Sequence, residues 1–139
     1  YHTENLINFF NYTVDDLSIF KLKTFFFQYF NNIENNKFNG GSPLGNIAIE
    51  LSDINDTVRL ELSKSYRKIE LRFSFFLTTL KNNYKEKYQH VEPEMYARIL
   101  VSLLEGTMLK LKIEKSEDSI TDFLSFYDKI FKSSTKYLG

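Results

Sequence analysis

Few residues in this sequence belong to the types that carry out covalent chemistry or bind metals. There is no cysteine, and the two histidines, His2 and His90, lie far apart with no ligand-type neighbour. A thiol nucleophile and a disulfide are therefore excluded, and a zinc site is disfavoured. The sequence contains no HExxH motif, no suggestion of a Ser-His-Asp set and no glycine-rich loop between a strand and a helix. We predict that the chain is not an enzyme and has no metal or cofactor.

The polar residues best suited to binding lie inside an apolar stretch near the C-terminus. Arg98, Ser102 and Glu105 are spaced by four and three residues, so they share one face of a helix. One interpretation is that these three residues form the solvent-exposed edge of the helix. The other is that Glu105 is partly buried and hydrogen-bonds a ligand or a partner subunit, because a buried carboxylate needs such a partner.

Aromatic residues are over-represented in the composition, with fourteen Phe and nine Tyr among 139 residues. Side chains from several segments could line a cavity between helices, with Asn46 and Tyr66 as its polar anchors. An ordinary aromatic core is the alternative for each ring. The candidate pocket residues are Phe26, Tyr29, Phe30, Asn46, Tyr66, Phe73, Phe76 and Tyr96.

Helices, and no convincing strand, have to position these side chains. Thr13 is expected to cap the second helix and Ser116 the last. The second helix carries two apolar stripes, one of them including Phe20 and Phe27, so we expect neighbours on two of its sides. The sequence predicts an all-α bundle of about six helices. Helical spacing is found in residues 2–11, 14–35, 43–51, 56–87 and 93–115, and after Ser116.

The charge of the chain narrows the classes of partner. Lysine plus arginine equals aspartate plus glutamate, so the net charge is zero, and the basic excess typical of a nucleic-acid binder is missing. Lys64, Lys68 and Arg72 form a basic line, which we interpret as a solvated helix face. No apolar run is long enough to span a bilayer, and no signal peptide is visible. We expect a cytoplasmic protein without membrane contact.

One segment, GGSPLGNIAIELSD at residues 40–53, resembles a known family. In the C-terminal effector-binding domain of TetR-family regulators, a Gly-Cys-Pro/Leu-Leu-Gly-Asn stretch runs into a short Ala-Glu-Leu helix. Ser42 departs from that pattern, which usually has cysteine there. Glu105 and Gly106 are similar to the Glu/Gln-Gly pair of the family's penultimate helix. The residues that match in the first segment are Gly41, Pro43, Leu44, Gly45, Asn46, Glu50 and Leu51.

The resemblance implies a TetR C-terminal-domain-like fold in residues 13–139. It also implies that residues 1–12 are the tail of a connecting helix from a missing N-terminal helix-turn-helix domain. The chain would form a homodimer through its last two long helices. The candidate interface residues are Leu103, Glu105, Gly106, Ile120, Phe123, Leu124 and Tyr127.

The function implied is ligand sensing and dimerisation in a bacterial transcriptional regulator. Such a repressor would be released from DNA by a small apolar or aromatic effector, and operator DNA would be bound only through the missing domain. The alternative is a stand-alone all-α dimeric interaction module that binds neither effector nor DNA.

Overall fold

Helical spacing of the apolar residues produces five helices in the parts of the chain that the structure, a computed structural model, describes: residues 2–35 and 56–132. The predicted all-α fold is confirmed. The predicted short helix at 43–51, with the candidate anchor Asn46, lies outside the described residues. The helices are α1 (His2–Thr13), α2 (Ile19–Asn35), α3 (Asp56–Asn83), α4 (Pro93–Glu114) and α5 (Asp118–Phe131).

The capping of α2 differs from the prediction. Thr13 is the last residue of α1, and the backbone N–H of Val14 still donates to Phe10 O at 2.8 Å. The cap is Ser18, whose hydroxyl oxygen accepts from the N–H groups of Phe20 at 3.1 Å and Lys21 at 3.4 Å. A serine at this position satisfies donors that the first helical turn leaves without a backbone partner. The prediction of Thr13 as the cap, with a helix from residue 14, is therefore wrong.

α3 ends at Asn83, four residues earlier than predicted. Residues 84–90 form turns because the chain must return to the bundle, where Tyr88 and Val91 are buried. The ammonium group of Lys81 donates to Val91 O at 2.7 Å and ties the returning chain to α3. Burial of these two side chains thus overrides the good helix propensity of the Lys-Glu-Lys stretch. Pro93 then occupies the start of α4, where its missing N–H costs nothing.

The bundle closes around a cluster of phenylalanine rings drawn from four helices. Phe10 of α1 meets Phe25 of α2 and Phe73 of α3, with ring centroids 5.2 Å apart in both pairs. Phe26 of α2 meets Phe123 of α5 at 4.8 Å. All five rings are at most 4% exposed. Each favourable ring pair adds about 0.5–1.5 kcal/mol beyond the burial of its surface.

The apolar stripe of α2 that includes Phe20 and Phe27 lacks the expected packing contacts within the described residues. Phe20 is 72% exposed and Phe27 is 48% exposed. The expectation of contacts on two sides of α2 is wrong for this part of the fold. One stripe alone supplies the buried rings, because α1, α3 and α5 all pack against the face that carries Phe25 and Phe26.

The basic line on α3 is only partly a solvated face. Lys64 and Lys68 are exposed, and Lys64 pairs with Glu61 at 3.3 Å. Arg72 instead donates to Asn11 Oδ1 at 2.8 Å and lies 4.7 Å from the centre of the Phe10 ring. Burial lowers the pKa of its guanidinium. Arg72 therefore joins α3 to α1.

Within the described ranges, none of the helices combines the length and the apolar content that crossing a bilayer would require.

Candidate functional site

Four of the predicted pocket residues are buried in the hydrophobic core of the bundle. Phe26, Phe30, Phe73 and Phe76 are each 6% exposed or less. The Phe26 ring lies 5.7 Å from Phe73 and 6.5 Å from Phe30. In this conformation these rings contribute to the core and face no described cleft between α3 and α4.

Tyr96 lies at the contact between α4 and α5. Its hydroxyl donates to Ile130 O at 3.1 Å, and its ring meets Phe131 at 5.6 Å. A nitrogen of His90, Nε2, lies 3.1 Å from the same carbonyl. Tyr96, a predicted pocket residue, and His90 thus both contact the C-terminal end of α5.

A cleft of about 530 Å³ separates the middle of α3 from the middle of α4. Its volume falls in the range of about 300–1,000 Å³ that small-molecule sites occupy. Of the predicted pocket residues that the structure describes, Tyr66 alone lies in its wall, and Glu105 from the predicted polar line joins it. The lining residues are Ser63, Tyr66, Arg67, Glu70, Val101, Ser102 and Glu105.

The wall of this cleft combines polar groups with apolar surface. Arg67 Nη1 lies 3.8 Å from Glu70 Oε1, and the Glu70 side chain is 20% exposed. The hydroxyl of Ser102 donates to Arg98 O at 3.1 Å, one turn earlier in α4. Val101 is the single aliphatic side chain among the described lining residues, and Tyr66 adds an aromatic ring. The cleft therefore offers a ligand charge and hydrogen bonds beside apolar surface.

Glu105 occupies the inner part of this wall. Its side chain is half-buried, and its Oε2 atom is shielded from solvent, whereas Arg98 and Ser102 are exposed. Burial raises the pKa of Tyr29 on α2, and the charge of Glu105 and the nearby Tyr66 raise it further. Tyr29 therefore stays a neutral phenol close to the carboxylate. Two residues of the predicted polar line, Arg98 and Ser102, are therefore exposed to solvent, and the third, Glu105, faces inward.

The other side of α4 borders a second, apolar groove, of about 520 Å³, between α4 and α5. Three predicted interface residues line it: Leu103, Gly106 and Phe123. A Cβ atom added at Gly106 would meet no heavy atom within 4 Å, so the helix surface is open there. Ser102 borders this groove as well as the polar cleft.

The remaining interface candidates lie elsewhere. Ile120 and Tyr127 are buried within the chain, and the Tyr127 hydroxyl donates to Ile19 O of α2 at 2.6 Å. Leu124 is half-buried and packs against the core. Glu105 faces the polar cleft.

Sequence reasoning missed several residues at both clefts. Ile99, Ile113 and Phe126 extend the apolar surface and are 41%, 70% and 46% exposed. The sequence did indicate an exposed apolar face at Ile99 and Ile113, because apolar residues on α4 cover a wider arc than one core contact requires. Ser63, Arg67 and Glu70 gave no such signal, since polar residues on one helix face usually mark solvent.

Comparison with known proteins connects this architecture to a family. The family described as "Tetracyclin repressor-like, C-terminal domain" matches residues 18–127. The chain is also similar to the HTH-type transcriptional repressor DhaR of Mycobacterium sp. (strain GP1), with 24% identity over 99 residues. That alignment covers 71% of this chain and 50% of the repressor, so the chain spans about half the length of this relative. No solved structure matches the chain at a significant level. An all-helical fold and a family match over most of its length place this chain in the TetR family of regulators, as a C-terminal domain.

Proposed function

We propose that this chain is the effector-sensing and dimerisation half of a TetR-like bacterial transcriptional regulator, and that operator DNA is bound by a helix-turn-helix segment outside it. The observation that best supports this proposal is the position of α4 between two clefts. Glu105 lines a polar cleft toward α3, and Gly106, the next residue, lines an apolar groove toward α5. One helix thus contacts both a small-molecule site and a subunit surface.

The apolar groove is the surface we assign to a second copy of the chain. Ile99, Leu103, Gly106 and Ile113 lie along one side of α4, and Phe126 borders the groove from α5. Apolar surface exposed on this scale is a mark of an interaction site. The open position at Gly106 would let a partner helix approach α4 closely. Two helices from each subunit would then form a four-helix interface.

Regulation follows from linkage between the two surfaces. An effector in the polar cleft touches α4 at Glu105 and therefore favours the α4 position that suits it best. The same helix forms the subunit contact, so the effector shifts the dimer between two spacings of its DNA-reading segments. It shifts that equilibrium by its difference in affinity for the two arrangements and by no more. Release from the operator is the expected result for a repressor.

A substitution at Gly106 tests the subunit surface. Gly106→Arg adds a charged side chain to the groove, but it meets no atom of its own subunit at Cβ and raises helix propensity by about 1 kcal/mol or less. We expect a folded chain whose dimer dissociation constant rises at least tenfold in analytical ultracentrifugation. Ser125→Arg, at an exposed position of α5 outside the groove, is the matched control. A dimer of unchanged affinity in Gly106→Arg would show that the assigned surface is wrong.

A second candidate function, a dimeric interaction module without an effector, is favoured by the filled aromatic centre of the bundle. The two functions differ in their response to ligands. A ligand that binds only the folded chain stabilises it by RT ln(1 + [L]/Kd), about 2.7 kcal/mol at a hundredfold excess over Kd. Thermal unfolding with a library of small molecules separates them, because a module without an effector site would show no stabilisation by any member.

A further inference from the structure

We infer that the cleft between α3 and α4 takes a small organic cation, an amine or amidine whose N–H groups donate hydrogen bonds. This inference rests on the proposed function, since it names the chemical class of the effector. It differs from the apolar or aromatic effector that the aromatic content suggested, because most of those aromatic rings pack in the core.

The lining of the cleft carries more negative than positive charge. Among the lining residues that the structure describes, Glu70 and Glu105 are the acids and Arg67 is the one basic residue. Glu70 lies 3.8 Å from that guanidinium. An anionic ligand would meet two carboxylates here, whereas a cation would balance the charge of the wall. The attraction is stronger than in bulk water, because Glu105 is half-buried and the effective dielectric constant is lower there.

The hydrogen-bonding groups of the wall point to the same class. Ser102 uses its hydroxyl proton on Arg98 O, so its oxygen presents lone pairs to the cleft. Ionised carboxylates accept hydrogen bonds and cannot donate them. Arg67 supplies donors, and one of its nitrogens, Nη1, lies 3.8 Å from Glu70 Oε1. A ligand that brings its own donors therefore matches the wall better than one that brings acceptors.

The volume of the cleft matches that of small-molecule sites. A volume of about 530 Å³ suits a compound with one or two rings or a short polyamine. Among the described lining residues, Val101 is the single aliphatic contact, and the ring of Tyr66 adds aromatic surface. Charge recognition by the two carboxylates then adds selectivity among small molecules of similar apolar surface.

Binding of matched probes to the full 139-residue chain tests this inference. Phenethylamine is the cation, phenethyl alcohol its neutral counterpart and hydrocinnamate its anionic counterpart; benzamidine and spermidine extend the cationic set. Calorimetric titration should give at least one cation a Kd tenfold or more below that of both counterparts. Added salt should weaken that binding, since it screens the charges.

Two variants assign the effect to the cleft. Glu105→Gln keeps the size of the side chain and removes its charge, so the Kd of the cation should rise at least tenfold. Glu114→Gln is the control on the same helix, because Glu114 is half-exposed, pairs with Lys110 at 4.0 Å and lies outside the cleft. Thermal unfolding without ligand checks that both variants fold.

The outcomes of these experiments distinguish the cationic ligand class from the proposed function of effector sensing. Equal affinity for the cationic, neutral and anionic probes, or an unchanged Kd in Glu105→Gln, would overturn the cationic class and leave effector sensing intact. No binding of any probe at millimolar concentration would overturn the class, and with it the assignment of this cleft as the effector site. Dimerisation through the apolar groove would be unaffected by either result.

Discussion

Phe26→Ala is the substitution that best distinguishes a core residue from a pocket residue at the centre of the bundle. Phe26 is 0% exposed, and its ring lies within 6.5 Å of five others, on α2, α3 and α5. Truncation leaves a void that these neighbours cannot all move to fill, because each is held by further ring contacts. A ring that lined an effector cavity would leave no such void.

The expected loss can be estimated from two contributions. Full burial of a phenylalanine side chain contributes about 1.5–3 kcal/mol, and each favourable ring pair about 0.5–1.5 kcal/mol more. These contributions overlap, so their sum is an upper limit, and measured Phe→Ala losses in cores are about 3–5 kcal/mol. Small domains have a total stability of about 5–15 kcal/mol. We therefore expect the variant to retain its fold with a greatly reduced margin.

Urea unfolding followed by circular dichroism measures this loss. The protein concentration must be the same in all samples, because the stability of a dimer depends on it. The matched control is Phe20→Ala on the same helix, where the ring is 72% exposed and a change within about 0.5 kcal/mol is expected. A loss below about 1 kcal/mol for Phe26→Ala, with an unchanged m-value, would refute the close packing of these rings.

Further predictions concern single polar groups. Tyr127→Phe removes the 2.6 Å hydrogen bond to Ile19 O and should cost about 0.5–1.5 kcal/mol in urea unfolding, the net contribution of one hydrogen bond. Ser18→Ala removes the α2 cap and should cost about 1 kcal/mol in the same assay, with Ser125→Ala as the exposed control. Burial raises the pKa of Tyr29 and of Tyr127, so both stay protonated in the folded chain at a pH where the unfolded chain ionises. Their stabilising effect is complete below about pH 10 and declines as the pH rises further, and Tyr29→Phe should make the decline in unfolding free energy less steep.

The fold was predictable because its helices follow strong local rules. The 3.6-residue period of apolar residues and Pro93 at the start of α4 identified four long helices within a few residues of their ends. The cap of α2 was not predictable in the same way, since Thr13 and Ser18 are both good capping residues. Packing decides between them, because α1 continues through Phe10 into the core before the chain turns.

The candidate site was less predictable than the fold. Phe20 and Phe26 are the same residue type on one helix, yet one is 72% exposed and the other is fully buried. Periodicity finds an apolar face but not which face meets a neighbour. Glu105 was recognised from its place in an apolar helix, whereas its neighbours Ser63 and Glu70 on α3 carry no local mark. Their role arises only when α3 and α4 are packed side by side.

Ser102 borders both the polar cleft and the apolar groove, and this shared residue has a consequence for how the regulator would behave in a cell. On the proposed function, ligand binding and subunit association depend on each other, and such a dependence is reciprocal. The ligand concentration needed for half-saturation would then change with the number of copies of the protein. A gene that controls its own regulator would therefore also adjust the sensitivity of its sensor, without any change in sequence.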